Sequence, residues 1–266
     1  MSSESFVRRE IDAIRFYCCT ALEELTFLRH GFSTRHGGVS PLPSRSLNLS
    51  FVSCDAPQRV QENRKRFTNA LELPDVLVTL SQIHSDRVHI IEEKPDQRNP
   101  SPQGDALVTG SVGVALAVQG ADCFPILIVD PETRAIAAVH AGWRGTLARI
   151  AAKTIGKMRE RFGCDPARLL IAVGPGIRSC CFEVGPEVLR AFQTEFTGVQ
   201  LGQTSPSGRF LLDLRRTLEI QFEETGVSPE RVYDLGKCTR CCADEFFSFR
   251  REGSRSGRMM GVIALL

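Results

Sequence analysis

Apolar positions along this chain fall into short runs broken by glycine, proline and polar pairs, with a few stretches of helical spacing between them. Ile14–Cys19, Val76–Leu80, Val88–Ile91, Leu107–Val108, Val112–Val118, Ile126–Val129, Ala135–His140, Leu169–Val173, Val232–Leu235 and Val262–Leu266 read as strands. The first is expected as an edge strand within residues 1–20. The middle runs are continuous rather than alternating, which predicts strands buried on both faces. Asp55 and Pro57 open a helix with Val60, Phe67 and Leu71 on its inner face. After Gly145, the residues Leu147, Ile150, Ala151, Ile155, Met158 and Phe162 recur at helical spacing, and Gly163 ends that helix. Pro186–Phe196 and Asp213–Thr225 are further helices, the second capped by Asp213 and stopped by Gly226. Gly31 to Leu49 reads as a long loop, and Glu92–Gln103 as a mobile surface loop.

Helices and strands mix without strict alternation, and no repeat or linker divides the chain. This favours an α+β fold over a doubly wound one: a single layered domain over residues 1–266, with mixed β-sheets flanked by helices. A hydrophobic content of 42% supports an ordinary core, and a net charge of +2 argues against nucleic-acid or membrane-surface partners. No apolar run reaches the roughly 18 residues of a membrane span. The start, M-S-S-E-S-F-V-R-R-E-I-D, lacks the order of a secretory signal.

Ten cysteines without an export signal, several of them adjacent, predict reduced thiols in a cytoplasmic protein. Most are expected to be small buried hydrophobes. Cys238-x-x-Cys241, followed by Cys242, suggests a metal or redox pair. A structural zinc takes about four ligands, and no second C-x-x-C or nearby histidine accompanies it. These are expected to be structural thiols.

His84 in Q-I-H-S-D-R-V, Cys123 in G-A-D-C-F-P and His140 in V-H-A-G-W-R-G form the main candidate constellation. One soft sulfur and two imidazoles suit zinc, with copper as the alternative. Three protein ligands leave a fourth position open, as in catalytic zinc sites. The steps of 39 and 17 residues match no short metal motif. Each residue therefore also has a plain reading, as a buried thiol or a histidine hydrogen-bonded at a strand end.

Arg35 and Arg144 are candidate anion handles, since a guanidinium grips phosphate or carboxylate as a planar fork. Arg144 lies in a glycine-flanked turn opening a helix, where free N–H groups also favour anions. Arg250, Arg251, Arg255 and Arg258 crowd F-F-S-F-R-R-E-G-S-R-S-G-R, which reads as part of a phosphate site or as a solvated loop. Trp143 stacks on a planar ligand or packs the helix start. G-P-G-I (174–177) is a tight turn that lets backbone approach a ligand or another strand. His89 is expected to be solvated and His30 structural.

The segments F-S-T-R-H-G-G-V-S (32–40), S-L-N-L (46–49), Q-I-H-S (82–85), G-D-A-L-V-T (104–109), A-D-C-F-P (121–125), V-H-A-G-W-R-G (139–145), G-P-G-I (174–177), C-T-R-C (238–241) and F-F-S-F-R-R-E-G (246–253) together resemble the YfiH, or laccase-domain-containing, family of multicopper-oxidase-like proteins. A-D-C-x-P followed by H-A-G-W-R-G is specific to it. Ser85 departs from the pattern, standing where members often have glycine. The resemblance implies a layered fold like that of a cysteine hydrolase, and a metal on the positions matching His84, Cys123 and His140. T-R-H-G-G-V-S resembles the family's substrate-side loop, which brings His36 beside Arg35 as a substrate contact, with Arg144 and Arg250.

The implied activity is phosphorolysis of adenosine, inosine or methylthioadenosine, with adenosine deaminase activity also attributed to the family. Asp122 and Asp105 are candidate proton carriers. The expected partners are a small nucleoside and phosphate, with the chain a monomer or weak homodimer. Three alternatives stand beside this reading. One is a Cys–His hydrolase that edits UDP-muramyl cell-wall precursors, with Cys123 as nucleophile and His140 as base. Another is a copper phenol oxidase, which five histidines serve poorly. The last is a non-catalytic metal-binding protein.

Overall fold

The computed structural model describes residues 5–41, 46–51, 55–94, 101–206 and 208–266. Two six-stranded sheets dominate it. The first runs, in spatial order, Phe6–Ile11, Ile14–Cys19, Leu28–Ser33, Met259–Leu265, Val114–Gly120 and Val76–Val78. Only its last pairing is parallel. The second runs Val232–Asp234, Leu170–Val173, Phe124–Asp130, Ala135–Ala141, Ala106–Thr109 and Val88–Ile91. Its outermost pairings are parallel and the inner ones antiparallel. This is the mixed-sheet α+β class that the order of elements predicts.

The sheets face each other. Phe32, Leu116, Val118 and Ile263 of the first meet Leu107, Leu127, Ile136 and Ala138 of the second. The far face of the second sheet packs Ile126, Ile128 and Val139 against Ile155 and Met158 of the helix Ile150–Phe162 and Leu218 and Phe222 of the helix Leu214–Thr225. The far face of the first sheet packs Phe16, Ala115 and Val262 against Phe67 of the helix Pro57–Ala70. The layers therefore run helix, sheet, sheet, helices. Phe124–Asp130 and Ala135–Ala141 are buried at every position, which is why both read as unbroken apolar runs. Fully burying each large aliphatic side chain contributes about 1.5–3 kcal/mol.

The structure corrects several expectations. Ile14–Cys19 is not an edge strand, because Phe6–Ile11 pairs along its whole length. The connecting turn, Asp12-Ala13, takes φ of 49° and 67° without any glycine, so the usual hairpin signal is missing. Gly31 to Leu49 is not all loop: it contains the second half of Leu28–Ser33 and the strand His36–Ser40. The buried side chain of Asn63 holds this polar stretch in place. It accepts from Val39 N–H (2.8 Å) and donates to Ser40 Oγ (2.8 Å) and the Asn48 carbonyl (2.9 Å). Residues 42–45 of that stretch lie outside the described residues, as do 95–100 of the expected Glu92–Gln103 loop.

The helix expected after Gly145 is two helices, Trp143–Leu147 and Ile150–Phe162, separated by Arg149 at φ 62°. A small third sheet joins Glu183–Val184, Phe210–Leu212 and Gly202–Thr204. Asp213 and Gly226 cap Leu214–Thr225 as expected. No helix among the described residues is long and apolar enough to cross a membrane.

Replacing Asn63 by alanine leaves several buried loop groups without partners. We expect Asn63→Ala to lower unfolding free energy by about 1–3 kcal/mol or more in urea titration. The exposed control Asn69→Ala is expected to stay within about 0.5 kcal/mol.

Candidate metal centre

Strand register brings the first two candidate ligands together. Ala141 pairs with Phe124 and His140 with Pro125, so Cys123, one residue before its strand, lies beside His140 at one end of the second sheet. His84 arrives from the loop between Val76–Val78 and Val88–Ile91. Gln82 fixes that loop to the first sheet like an extra strand residue. Its side chain donates to the Gln119 carbonyl (2.7 Å) and accepts from Gln119 N–H (2.8 Å).

The ligand atoms of His84, Cys123 and His140 all lie within 4.8 Å of one another. His84 Nε2 is 3.9 Å from Cys123 Sγ, and the two imidazoles meet edge to face with centroids 5.0 Å apart. Zinc bonds of about 2.3 Å to sulfur and 2.0–2.1 Å to nitrogen reach all three with small adjustments. Gly142 makes the crowding tolerable: a Cβ there would meet both Cys123 Sγ and His84 Cδ2 at 2.9 Å.

Asp105 organises the set. Its carboxylate is buried; Oδ1 accepts from His140 Nδ1 (2.9 Å) and His84 N–H (3.0 Å). Oδ2 accepts from Ser85 N–H (2.6 Å) and Ser85 Oγ (2.7 Å). The Asp105 carbonyl also accepts from His140 N–H at 2.7 Å. With Nδ1 occupied, His140 presents Nε2 to an ion, the carboxylate–histidine arrangement common behind metals. The hydroxyl of Ser85, the one departure noted in the motif, supplies one of these bonds.

Electrostatics follow from this crowding. Burial alone would raise the Asp105 pKa, but hydrogen bonds from His140 and Ser85 outweigh it and bring the carboxyl to about 2. Burial would likewise keep the Cys123 thiol protonated, yet His140, then His84, bring it down to about 6. Burial disfavours charge on His140, but the Cys123 sulfur and Asp105 lift it to about 9. Without an ion, the pair favours thiolate and imidazolium.

The three residues lie on the wall of a cavity of about 1120 Å³. Among the described residues, four arginines also line it, each set over an aromatic ring that lines it too. Arg64 lies 4.6 Å from the Phe51 ring centre, Arg144 4.3 Å from Trp143, Arg250 5.4 Å from Phe182 and Arg258 5.5 Å from Phe249. Arg144 and Arg250 therefore reach the cavity. Arg64 and Phe51 escaped sequence reasoning, because one sits in an ordinary helical pattern and the other beside a loop.

Asp122 lines the cavity at φ 97°. Its Oδ1 accepts from Thr239 Oγ1 (2.7 Å), its Oδ2 from Arg250 N–H (2.7 Å), and its carbonyl from Ile177 N–H (2.7 Å). It braces three segments next to Cys123. Gly176 packs against the Phe124 ring, where a Cβ would sit at 2.4 Å, so the G-P-G-I turn approaches another strand closely.

Arg35 and His36, expected on the substrate side, are not among the residues lining the cavity. Arg35 is buried, donates to the Ala243 carbonyl (2.7 Å) and Glu252 Oε1 (3.2 Å), and stacks on Phe247. His36 begins a strand rather than lying in a loop. Arg251 is likewise turned to the carbonyls of Thr239, Arg240 and Phe246. His30 is buried and accepts from Cys19 N–H, and half-buried His89 bonds the Gln103 carbonyl.

Cys238-x-x-Cys241, expected as structural thiols, has sulfur neighbours that lie far from it in sequence. The adjacent pair Cys180–Cys181 folds against it, and the four sulfurs lie within 4.8 Å of one another. The doublet itself was the signal.

The chain is similar in sequence and fold to known proteins. A purine nucleoside phosphorylase of Deinococcus radiodurans is 40% identical over 238 residues, covering 89% of this chain and 88% of that one. The purine nucleoside phosphorylase LACC1 of Homo sapiens is 34% identical over 89% of this chain, which spans about half of it (55%). The crystal structure of YlmD from Geobacillus stearothermophilus superposes with a TM-score of 0.89 at 30% identity, covering 98% of each chain. The family model described as multi-copper polyphenol oxidoreductase laccase matches residues 29–266, and the chain belongs to that family, the laccase-domain proteins whose motifs it carries.

Proposed function

We propose that this chain is a zinc-dependent purine nucleoside phosphorylase, taking adenosine, inosine or methylthioadenosine with inorganic phosphate. The observation that carries this reading is the composition of one cavity: a His84–Cys123–His140 ligand set on a wall that also bears four arginine–aromatic pairs. Aromatic faces suit a flat purine, and guanidiniums suit phosphate. The relatives' names support the same class. His84, Cys123 and His140 would hold the ion, which when bound would supply Lewis-acid chemistry.

The chain's own residues do the remainder. Arg144 and Arg250, with backbone and ring contacts already in place, hold phosphate toward the sugar carbon. A phosphate oxygen bonds to that carbon as the C–N bond breaks, and the base leaves with its electron pair and takes up the proton that the attacking hydrogen phosphate gives up. Asp105 keeps His140 in one tautomer, and Asp122 fixes the Cys123 turn and the Arg250 backbone. A multicopper cluster does not fit, because the chain has five histidines and only His84 and His140 come to this cavity.

A second reading, a Cys–His hydrolase acting on cell-wall precursors, draws on the low pKa that His140 gives Cys123. An ion on the sulfur blocks that nucleophile, so metal dependence separates the two. Adenosine deamination is a further activity for the same metal set, read by ammonia release.

Phosphate-dependent base release is expected from the metal-loaded wild type. In Cys123→Ala, activity and the ion held by His84 and His140 are lost together, by more than the 10- to 100-fold that a missing outer partner costs. No turnover of any of the three nucleosides by fully loaded protein would sink the phosphorylase reading.

Asp105→Asn keeps the shape but removes the charge behind His140. Its affinity for zinc is expected to fall about 10- to 100-fold, measured by competition with a chromophoric chelator.

In the metal-free chain, iodoacetamide should label Cys123 down to a pH of about 6. The thiolate persists above that value and is lost as pH falls through it. Loading zinc is expected to suppress the labelling; labelling unchanged by zinc would leave Cys123 outside the metal site.

A further inference from the structure

Two loops meet beside the cavity and bring four of their cysteines together. Cys180 and Cys181 follow the G-P-G-I turn, and Cys238 and Cys241 follow the strand Val232–Asp234. The loops are paired at Gly176 and Cys238 by a parallel bridge, and Thr239 N–H donates to the Gly176 carbonyl at 3.1 Å. Cys241 Sγ lies 3.3 Å from Cys181 Sγ and 3.6 Å from Cys180 Sγ. All four sulfurs are within 4.8 Å of one another.

These separations discriminate between two chemistries. A disulfide brings its sulfurs to about 2.05 Å and joins them in pairs. Around a tetrahedral zinc with bonds of about 2.3 Å, neighbouring sulfurs stand about 3.8 Å apart. Here one sulfur is shared between two neighbours at close to the second spacing. Main-chain N–H groups of Arg178, Cys241 and Arg240 face the Cys238 sulfur, and the Arg240 side chain meets that of Cys181. Such donors offset the negative charge that four thiolates and a divalent ion would carry. Cys181 and Cys238 are buried while Cys180 and Cys241 are exposed, so an ion can enter from the surface.

We propose that Cys180, Cys181, Cys238 and Cys241 form a second metal site, a closed structural zinc site of four thiolates, distinct from His84, Cys123 and His140. Binding passes the protons of the ligating thiols to solvent and changes no oxidation state. The site staples the loops that brace Asp122: Ile177 N–H reaches its carbonyl and Thr239 Oγ1 its carboxylate, both at 2.7 Å. Phe182, next to Cys181, lines the cavity. The ion would thus act on the cavity wall without touching a substrate. The proposal stands independently of nucleoside phosphorolysis.

Zinc per chain, measured by mass spectrometry of protein kept reduced and loaded with zinc, tests it. The expected values are two equivalents for wild type, one for Cys123→Ala and one for Cys180→Ser/Cys241→Ser. Cobalt in the Cys123→Ala chain is expected to give the strong sulfur charge-transfer bands and tetrahedral bands of a four-thiolate site. A wild-type chain holding one equivalent, lost entirely in Cys123→Ala, would overturn the proposal. So would cobalt bound to Cys123→Ala without sulfur bands. Both readouts use chains with all four cysteines intact, so poor folding of the double serine variant leaves the decision unaffected.

Discussion

One carboxylate holds this site together. Asp105 stands just before the strand Ala106–Thr109 and takes hydrogen bonds from the His84 and Ser85 main chain, the Ser85 hydroxyl and the His140 ring. A buried charge is tolerable only when so fully paired. The same bonds fix a loop that has no strand of its own there and choose the tautomer of an imidazole on a neighbouring strand. Remove the charge and the loop, the ring and the sulfur's electrostatic surroundings all lose their reference point.

The two residues that bend sharply at the centre, His84 at φ 58° and Asp122 at φ 97°, both lie in a region that L-residues enter reluctantly. Each is over-determined by side-chain bonds: Gln82 and Asp105 on one side, Thr239 and Arg250 on the other. Left-handed backbone at two neighbouring functional turns is therefore maintained by partners distant in sequence.

That distance decides what was legible. The central strands were readable because burial on both faces leaves unbroken apolar runs, and the helix Leu214–Thr225 because Asp213 and Gly226 mark its ends. His84, Cys123 and His140 stood out by chemistry and motif, though nothing in their spacing shows that they meet. Arg35 misleads for the same reason: its partners at Ala243 and Glu252 lie more than 200 residues away, so an apparent anion handle is an internal brace. The hairpin at Asp12-Ala13 carries no glycine, and Asn63 replaces sheet pairing with side-chain bonds that no periodicity reveals. The cysteine doublet at 180–181 was visible, but its closeness to Cys241 exists only in three dimensions.

The arginine–aromatic pairs have a consequence beyond affinity. Arg64, Arg144, Arg250 and Arg258 line a cavity in which Asp122, the one acidic lining residue among the described residues, has its oxygens already bonded. The rings anchor the guanidiniums from behind, so the positive field exists before any ligand arrives. A concave, low-dielectric wall focuses that field outward. Anions are drawn in from about a Debye length, roughly 8 Å at physiological ionic strength, and added salt shortens that reach. Capture of a negative solute at this mouth would therefore depend on the ionic strength around it as well as on the contacts within.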